Sequence, residues 1–147
     1  MKILIQRVKE AAVKVDDNMI GQIGPGLLVF VGIHPQDTPK DIDYLVGKVL
    51  NLRLFPSEKS GFDHSILEEK KSILVVSQFT LYASCNKGRR PDFGEAAKPD
   101  QAKKLHELFV EKLKETGLNI AMGQFQADMQ VSLVNDGPVT IMVESPS

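Results

Sequence analysis

The chain reads as an α+β protein with mostly antiparallel sheet and two helices. Three observations predict this. Short runs of alternating or continuous apolar residues recur along the chain. Only two stretches carry an amphipathic helical period. The runs do not alternate regularly with helices, as repeated βαβ units would require.

The elements follow in order. Ile3 and Ile5 alternate with Leu4 and Gln6, and Val13 and Val15 alternate with Ala12 and Lys14, which predicts two strands. Asp16-Asp17-Asn18 supplies turn residues, and Met19 to Ile23 continues as a short strand. Gly24-Pro25-Gly26 punctuates the chain before Leu27 to Ile33, a continuous apolar run that suits a fully buried strand. Thr38 and Pro39 form a helix start, and Ile42, Leu45, Val46, Val49 and Leu50 give the stripe of a helix over Pro39 to Leu50. Leu52 to Phe55 is a short strand closed by Pro56, and Ser57 to Ser65 is a polar loop.

A second buried strand spans Ile73 to Phe79, and residues 84–95 form a long loop rich in Gly, Arg, Lys and Pro. Pro99 or Asp100 opens the second helix. It runs to Thr116 with Leu105, Leu108, Phe109 and Leu113 inward and His106 toward solvent, and Gly117 stops it. Strands over Asn119 to Gln124, Val131 to Leu133 and Val139 to Val143 complete the expected set. No linker, repeat or low-complexity segment divides the 147 residues, so a single domain, 1–147, is expected.

Composition excludes several classes. Hydrophobic residues make up 42%, which argues against disorder, and a net charge of -1 gives no global attraction to nucleic acid, so any such contact must be local. One cysteine, Cys85, rules out an internal disulfide framework. His34, His64 and His106 are scattered without metal-ligand spacing. The first eight residues lack the apolar core of a signal peptide, and no run approaches the length of a membrane span. A soluble, cytoplasmic protein is expected.

Four local features invite chemistry, each with a bland counterpart. Ser77-Gln78-Phe79-Thr80 is the densest polar cluster at a buried strand end. Ser77 or Thr80 could act as nucleophile, but no base is adjacent, while backbone N–H groups there could form an oxyanion hole. Equally, these residues could satisfy their own strand terminus. Lys87-Gly88-Arg89-Arg90-Pro91 is a basic patch that suits phosphates or is a solvated loop. Arg7, inside an apolar strand, suits backbone carbonyls across an interface or is an edge charge. Asn135-Asp136-Gly137-Pro138 is either a turn or a rigid surface poor in side chains, set where strand resumes at once.

Together these segments resemble the bacterial-type D-aminoacyl-tRNA deacylase family over nearly the whole length. The resemblance rests on Ile5-Gln6-Arg7-Val8, Gly24-Pro25-Gly26-Leu27-Leu28, Val75-Val76-Ser77-Gln78-Phe79-Thr80-Leu81 and Gly88-Arg89-Arg90-Pro91-Asp92-Phe93. It extends through Gly123 to Phe125, Ala127-Asp128-Met129 and Asn135-Asp136-Gly137-Pro138-Val139-Thr140. The resemblance implies a barrel-like core and a homodimer with active sites at its interface. It implies hydrolysis of the ester joining a D-amino acid, or glycine, to the 3'-terminal adenosine of tRNA, with L-amino acids rejected.

By the same resemblance Ser77, Gln78, Phe79 and Thr80 are catalytic. Arg7, Phe125, Met129, Gly137 and Pro138 meet the substrate, with Arg7 anchoring the Gly-Pro carbonyls and a cis bond between Gly137 and Pro138. Lys87, Arg89 and Arg90 meet tRNA phosphates, and no metal or cofactor is implied. Two mechanisms are open, Thr80 as nucleophile or assistance from the substrate's own ribose 2'-hydroxyl, and the second is favoured. A non-catalytic module for the tRNA acceptor end and a purely structural dimer are the competing readings. Many members carry a Lys-Met-Asn-x-Ser-like stretch where this chain has Gly61-Phe62-Asp63-His64-Ser65, and Ser84-Cys85-Asn86 is also less typical.

Overall fold

The computed structural model describes residues 1–146. Its elements are β1 (Lys2–Val15), β2 (Asn18–Ile23), β3 (Gly26–Gly32), α1 (Pro39–Asn51), α2 (Ile66–Glu69), β4 (Ser72–Ser77), α3 (Pro99–Lys114), β5 (Ile120–Met122) and β6 (Gln130–Glu144). A 3₁₀ turn, Phe79–Tyr82, follows β4. The strands run β2-β1-β3-β4-β5 in one sheet, and β6 pairs with β1.

The α+β class holds, but the sheet is mixed. β1 pairs antiparallel with β2, β3 and β6, whereas β3-β4 and β4-β5 are parallel. Parallel neighbours need long crossovers, usually helical. The crossover from β3 to β4 carries α1 and α2, and that from β4 to β5 carries α3.

Both long helices therefore cover one face of the sheet. Ile42, Leu45 and Val49 of α1 and Phe109 and Leu113 of α3 pack there on Ile5, Leu27, Val29, Ile73 and Val75. The opposite face buries Leu28, Leu74 and Val76 against Val8, Val13 and Ile23. Burial on both faces explains the unbroken apolar runs in β3 and β4. On that second face the sheet curls until β2 approaches β5. A Cβ on Gly21 would stand 2.6 Å from the Met122 carbonyl oxygen, so glycine permits this near-closure into a barrel.

Among the described residues six strands form, fewer than expected, because two expected breaks are absent and Leu52 to Phe55 forms no strand. β1 is continuous, but its inward set shifts from Ile3 and Ile5 to Val8, Ala11 and Val13, with irregularities opposite β6 around Val8. β6 likewise runs straight through Asn135-Asp136-Gly137-Pro138, so no hairpin turn forms there. The β1-β2 hairpin does turn at Asp16 and Asp17, both with positive φ.

Other differences are local. Leu52 to Phe55 makes only an isolated bridge, from Phe55 to His64. α2 was not expected, and it starts at a capping box in which Ser65 and Glu68 exchange hydrogen bonds. β4 ends at Ser77 rather than Phe79, and β5 covers only three residues. Among the described residues, no helix is long and apolar enough to cross a membrane.

Candidate active site

The Ser77 to Thr80 segment begins where β4 stops. The Gln78 N–H donates to the Val31 carbonyl at 2.7 Å, which completes the parallel ladder. The chain then tightens into the 3₁₀ turn, and the Leu81 N–H donates to the Gln78 carbonyl at 3.2 Å. The first N–H groups of a helical turn have no partner within it. Among the described residues, neither the Phe79 nor the Thr80 N–H donates to a backbone carbonyl. The Thr80 hydroxyl accepts a hydrogen bond from the Gln78 side-chain amide, and no carboxylate or imidazole bonds it among the described residues.

A cavity of about 640 Å³ opens beside this segment. Ser77, Gln78 and Phe79 line it together with His106, Phe125 and Met129. Phe93 at the rim packs edge-on against Phe79, with ring centroids 5.1 Å apart. Just before Phe93, Ser84 and Asp92 exchange two backbone hydrogen bonds, of 2.7 and 2.8 Å, and so pinch the base of the basic loop. Lys87, Arg89 and Arg90 are exposed on that loop, and none pairs with a carboxylate among the described residues.

His106 corrects the expectation of a solvent-facing side chain. It is 7% exposed, lines the cavity, and its ring lies 5.9 Å from that of Phe125. It sits four residues after Ala102 and three before Phe109, on the apolar stripe of α3, so the helical period could have revealed it. Burial pushes its pKa down to about 4, and its Nδ1 has no hydrogen-bond partner among the described residues. His106 thus adds a neutral aromatic ring to the cavity wall at neutral pH, where Lys98 is the one charged side chain of the lining.

The remaining implied residues lie elsewhere. Arg7, Gly137 and Pro138 do not line the cavity of their own chain. The Arg7 guanidinium is buried, donating from Nε to the Asp136 carbonyl at 2.9 Å and from Nη1 to the Leu54 carbonyl at 2.7 Å. A longer contact, 3.5 Å, reaches the Gly61 carbonyl. Arg7 therefore grips the carbonyl just before Gly137, not those of the Gly-Pro pair. The Gly137-Pro138 bond is cis, and both residues are exposed. Gly137 has φ +146°, and a Cβ there would stand 2.8 Å from Val139 Cγ2, so no other residue fits easily.

His34 packs beside Tyr82, His64 lies between Asp63 and Glu69, and Cys85 is exposed. None of these three lines the cavity. Two groups of implied residues thus form two separate features of one chain, an aromatic cavity with orphan N–H groups and a bare, exposed Gly-Pro projection.

Comparison of the chain with known proteins points to one class. A family model described as D-Tyr-tRNA(Tyr) deacylase matches residues 4–144. A D-aminoacyl-tRNA deacylase of Bacillus mycoides (strain KBAB4) is 51% identical over 145 residues, covering 99% of each chain. One from Desulfotalea psychrophila is 47% identical, covering 99% of this chain and 97% of that protein. A solved structure described as c-Myc DNA Unwinding Element Binding Protein is 43% identical with a TM-score of 0.94, and each chain is covered completely. Another, described as a probable eukaryotic D-amino acid tRNA deacylase, shares the fold at TM-score 0.84 and 17% identity, covering 97% of this chain and 98% of that one. The fold and the site define an ester hydrolase class, the tRNA deacylases. The chain belongs to the D-Tyr-tRNA(Tyr) deacylase family.

The buried neutral His106 predicts a pH effect. Its folded pKa lies below the ordinary 6.5, at about 4, so between these values the unfolded chain binds a proton that the folded chain refuses. Stability from this group is present above pH 6.5 and is lost as pH falls toward 4. In urea unfolding at a series of pH values, His106→Phe should lose less stability across this window than the parent. An unchanged slope would show that His106 does not titrate in this way.

Proposed function

We propose that the protein hydrolyses the ester between a D-amino acid and the 3'-terminal adenosine of tRNA, at sites completed across a homodimer. Glycine on mischarged tRNA is a second substrate. The observation that carries this reading is the split just described. The cavity and orphan N–H groups lie in one place, and the exposed Gly137-Pro138 projection, held by Arg7, lies outside the cavity lining of its own chain. In a two-fold dimer the projection of one subunit would reach the cavity of the other, since the same patches meet reciprocally.

Chemistry follows from this arrangement. The terminal adenosine enters the aromatic cavity, where Phe125, Met129 and the neutral His106 offer an apolar wall. Its ester carbonyl lies at the turn, and the Phe79 and Thr80 N–H groups stabilise the oxyanion as water attacks. Gln78 orients this pocket. Because the Thr80 hydroxyl accepts from Gln78 and has no base beside it, the ribose 2'-hydroxyl of the substrate is the better assistant. The C–O bond to the ribose breaks, giving free amino acid and tRNA. Positioning and electrostatics then make up most of the protein's contribution.

Selection works by exclusion. An L-residue would drive its β-carbon into the backbone at Gly137-Pro138, whereas a D-residue turns its side chain away, so different D-side chains are tolerated. Glycine has no β-carbon and passes. Lys87, Arg89 and Arg90 at the rim suit phosphates of the acceptor end, and a contact confined to the tRNA tip fits the net charge of -1. The substrate pool is the charged tRNA of the cytoplasm.

Matched D- and L-aminoacyl-tRNA provide the test. The D-ester should be cleaved at least about a hundredfold faster, ~2.7 kcal/mol of discrimination. Equal cleavage would refute the filter, and release of neither would favour a non-catalytic acceptor-end module. Thr80→Ala separates the two mechanisms. It should retain activity within about tenfold, whereas loss of several orders of magnitude with the fold intact would make Thr80 the nucleophile.

A further inference from the structure

The projection poses a question about its own backbone. On β1, Val8 pairs with Asn135 and Gln6 pairs with Thr140. Arg7 alone therefore faces four residues of β6, Asp136 to Val139. This is an enlarged bulge, and its backbone groups have lost their ladder partners. Buried or half-buried backbone groups need replacements.

The replacements differ at the two ends. On the entering side, Arg7 Nε donates to the Asp136 carbonyl at 2.9 Å. Pro138 has no N–H to satisfy. On the leaving side, one side chain serves both groups of Val139. The Val139 N–H donates to Asn135 Oδ1 at 2.7 Å, and Asn135 Nδ2 donates to the Val139 carbonyl at 3.2 Å. A carboxamide pairing with both the N–H and the C=O of one residue reproduces what a neighbouring strand would offer.

Asn135 does more than close this ring. Its Nδ2 also donates to Thr140 Oγ1 at 3.0 Å, and the same oxygen accepts from Gln6 Nε2 at 3.2 Å. The base of the projection is thereby tied to β1 on the side opposite Arg7. Aspartate could keep the acceptor but would lose both donors and bring a negative charge toward the Val139 carbonyl.

We propose that Asn135 is a positioning residue for chiral selection. Its carboxamide clamps the neck of the Asp136–Val139 bulge and so fixes where Gly137-Pro138 stands. This rests on the proposed deacylase reading. A filter that works by clash is sensitive to displacement, since a shift near 1 Å changes rates by about a hundredfold in well-fitted sites. D-esters do not press on the projection, so they depend less on its placement. Loss of the clamp therefore relaxes rejection of L-esters more than it slows D-esters.

The test pairs amide hydrogen exchange with selectivity on the full-length protein. In Asn135→Ala the Val139 amide should exchange at least about tenfold faster, and the ratio of L- to D-ester kcat/KM should rise by at least about tenfold, with a smaller fall in the D-ester value itself. Asn135→Asp should lie between this variant and the parent, and it carries the selectivity test if Asn135→Ala does not fold. Unchanged Val139 exchange in Asn135→Ala would overturn the clamp. An unchanged L-to-D ratio in whichever variant folds would overturn its role in selection. Should the parent protein cleave no D-ester, the deacylase reading fails, while the exchange measurement still decides whether the clamp exists.

Discussion

A buried guanidinium ties together three segments that are distant in sequence. Arg7 of β1 bonds the Asp136 carbonyl of β6 and the Leu54 carbonyl after α1, and it approaches the Gly61 carbonyl in the following loop. The Phe62 ring lies 5.9 Å from the guanidinium carbon. Burying such a charge is unfavourable unless most of its donors are satisfied. Here the fork of the guanidinium finds carbonyls in different directions, which an ammonium would meet less well. Removing it would leave the Leu54 and Asp136 carbonyls unpaired, at ~1–3 kcal/mol each. By contrast, an exposed pair such as Lys2 and Glu144, 3.6 Å apart, belongs to a kind worth ~0–1 kcal/mol.

This tie connects the fold to the site. β1 is the strand that every other antiparallel strand pairs with. A projection fastened to it inherits the rigidity of the sheet. The parallel pair β3-β4 does the same for the other half of the site, because β4 ends at Ser77 and the ladder bond from Gln78 to Val31 fixes where the turn begins. Both halves are backbone features held by regular structure. That suits the proposed selection rule, which reads the hand of the substrate and not its side chain.

Much of this was legible in the sequence where a short-range rule governed. The apolar runs of β3 and β4, the Thr38-Pro39 start of α1 and the Gly117 stop of α3 all follow local chemistry. Strand breaks were misjudged where tertiary pairing overrode turn chemistry. Asn135-Asp136-Gly137 has every mark of a turn, yet β1 pairs with β6 on both sides and leaves those residues as a bulge. His106 was misplaced for another reason. Its residue type suggests solvent even though its place on the apolar stripe of α3 points inward, and its ring lies 5.9 Å from that of Phe125. Asn135 belongs to a recognisable motif, but its bonds to Val139 depend on a bulge that no periodicity reveals. The division of the site into cavity and projection also needed three-dimensional placement, because sequence order says nothing about which cavity Gly137 can reach.

If two subunits build one site, mixing variants that damage different halves of it should reveal the partnership. Gly137→Val should push a side chain from the projection into the partner's cavity and obstruct it, and Gln78→Ala should disable the pocket, each leaving an inactive homodimer. Exchanging subunits between the two should restore D-aminoacyl-tRNA hydrolysis, because each mixed dimer then holds one cavity and one projection that are both intact and face each other. A mixture that forms mixed dimers yet stays as inactive as its parents would contradict the account and return the site to a single chain.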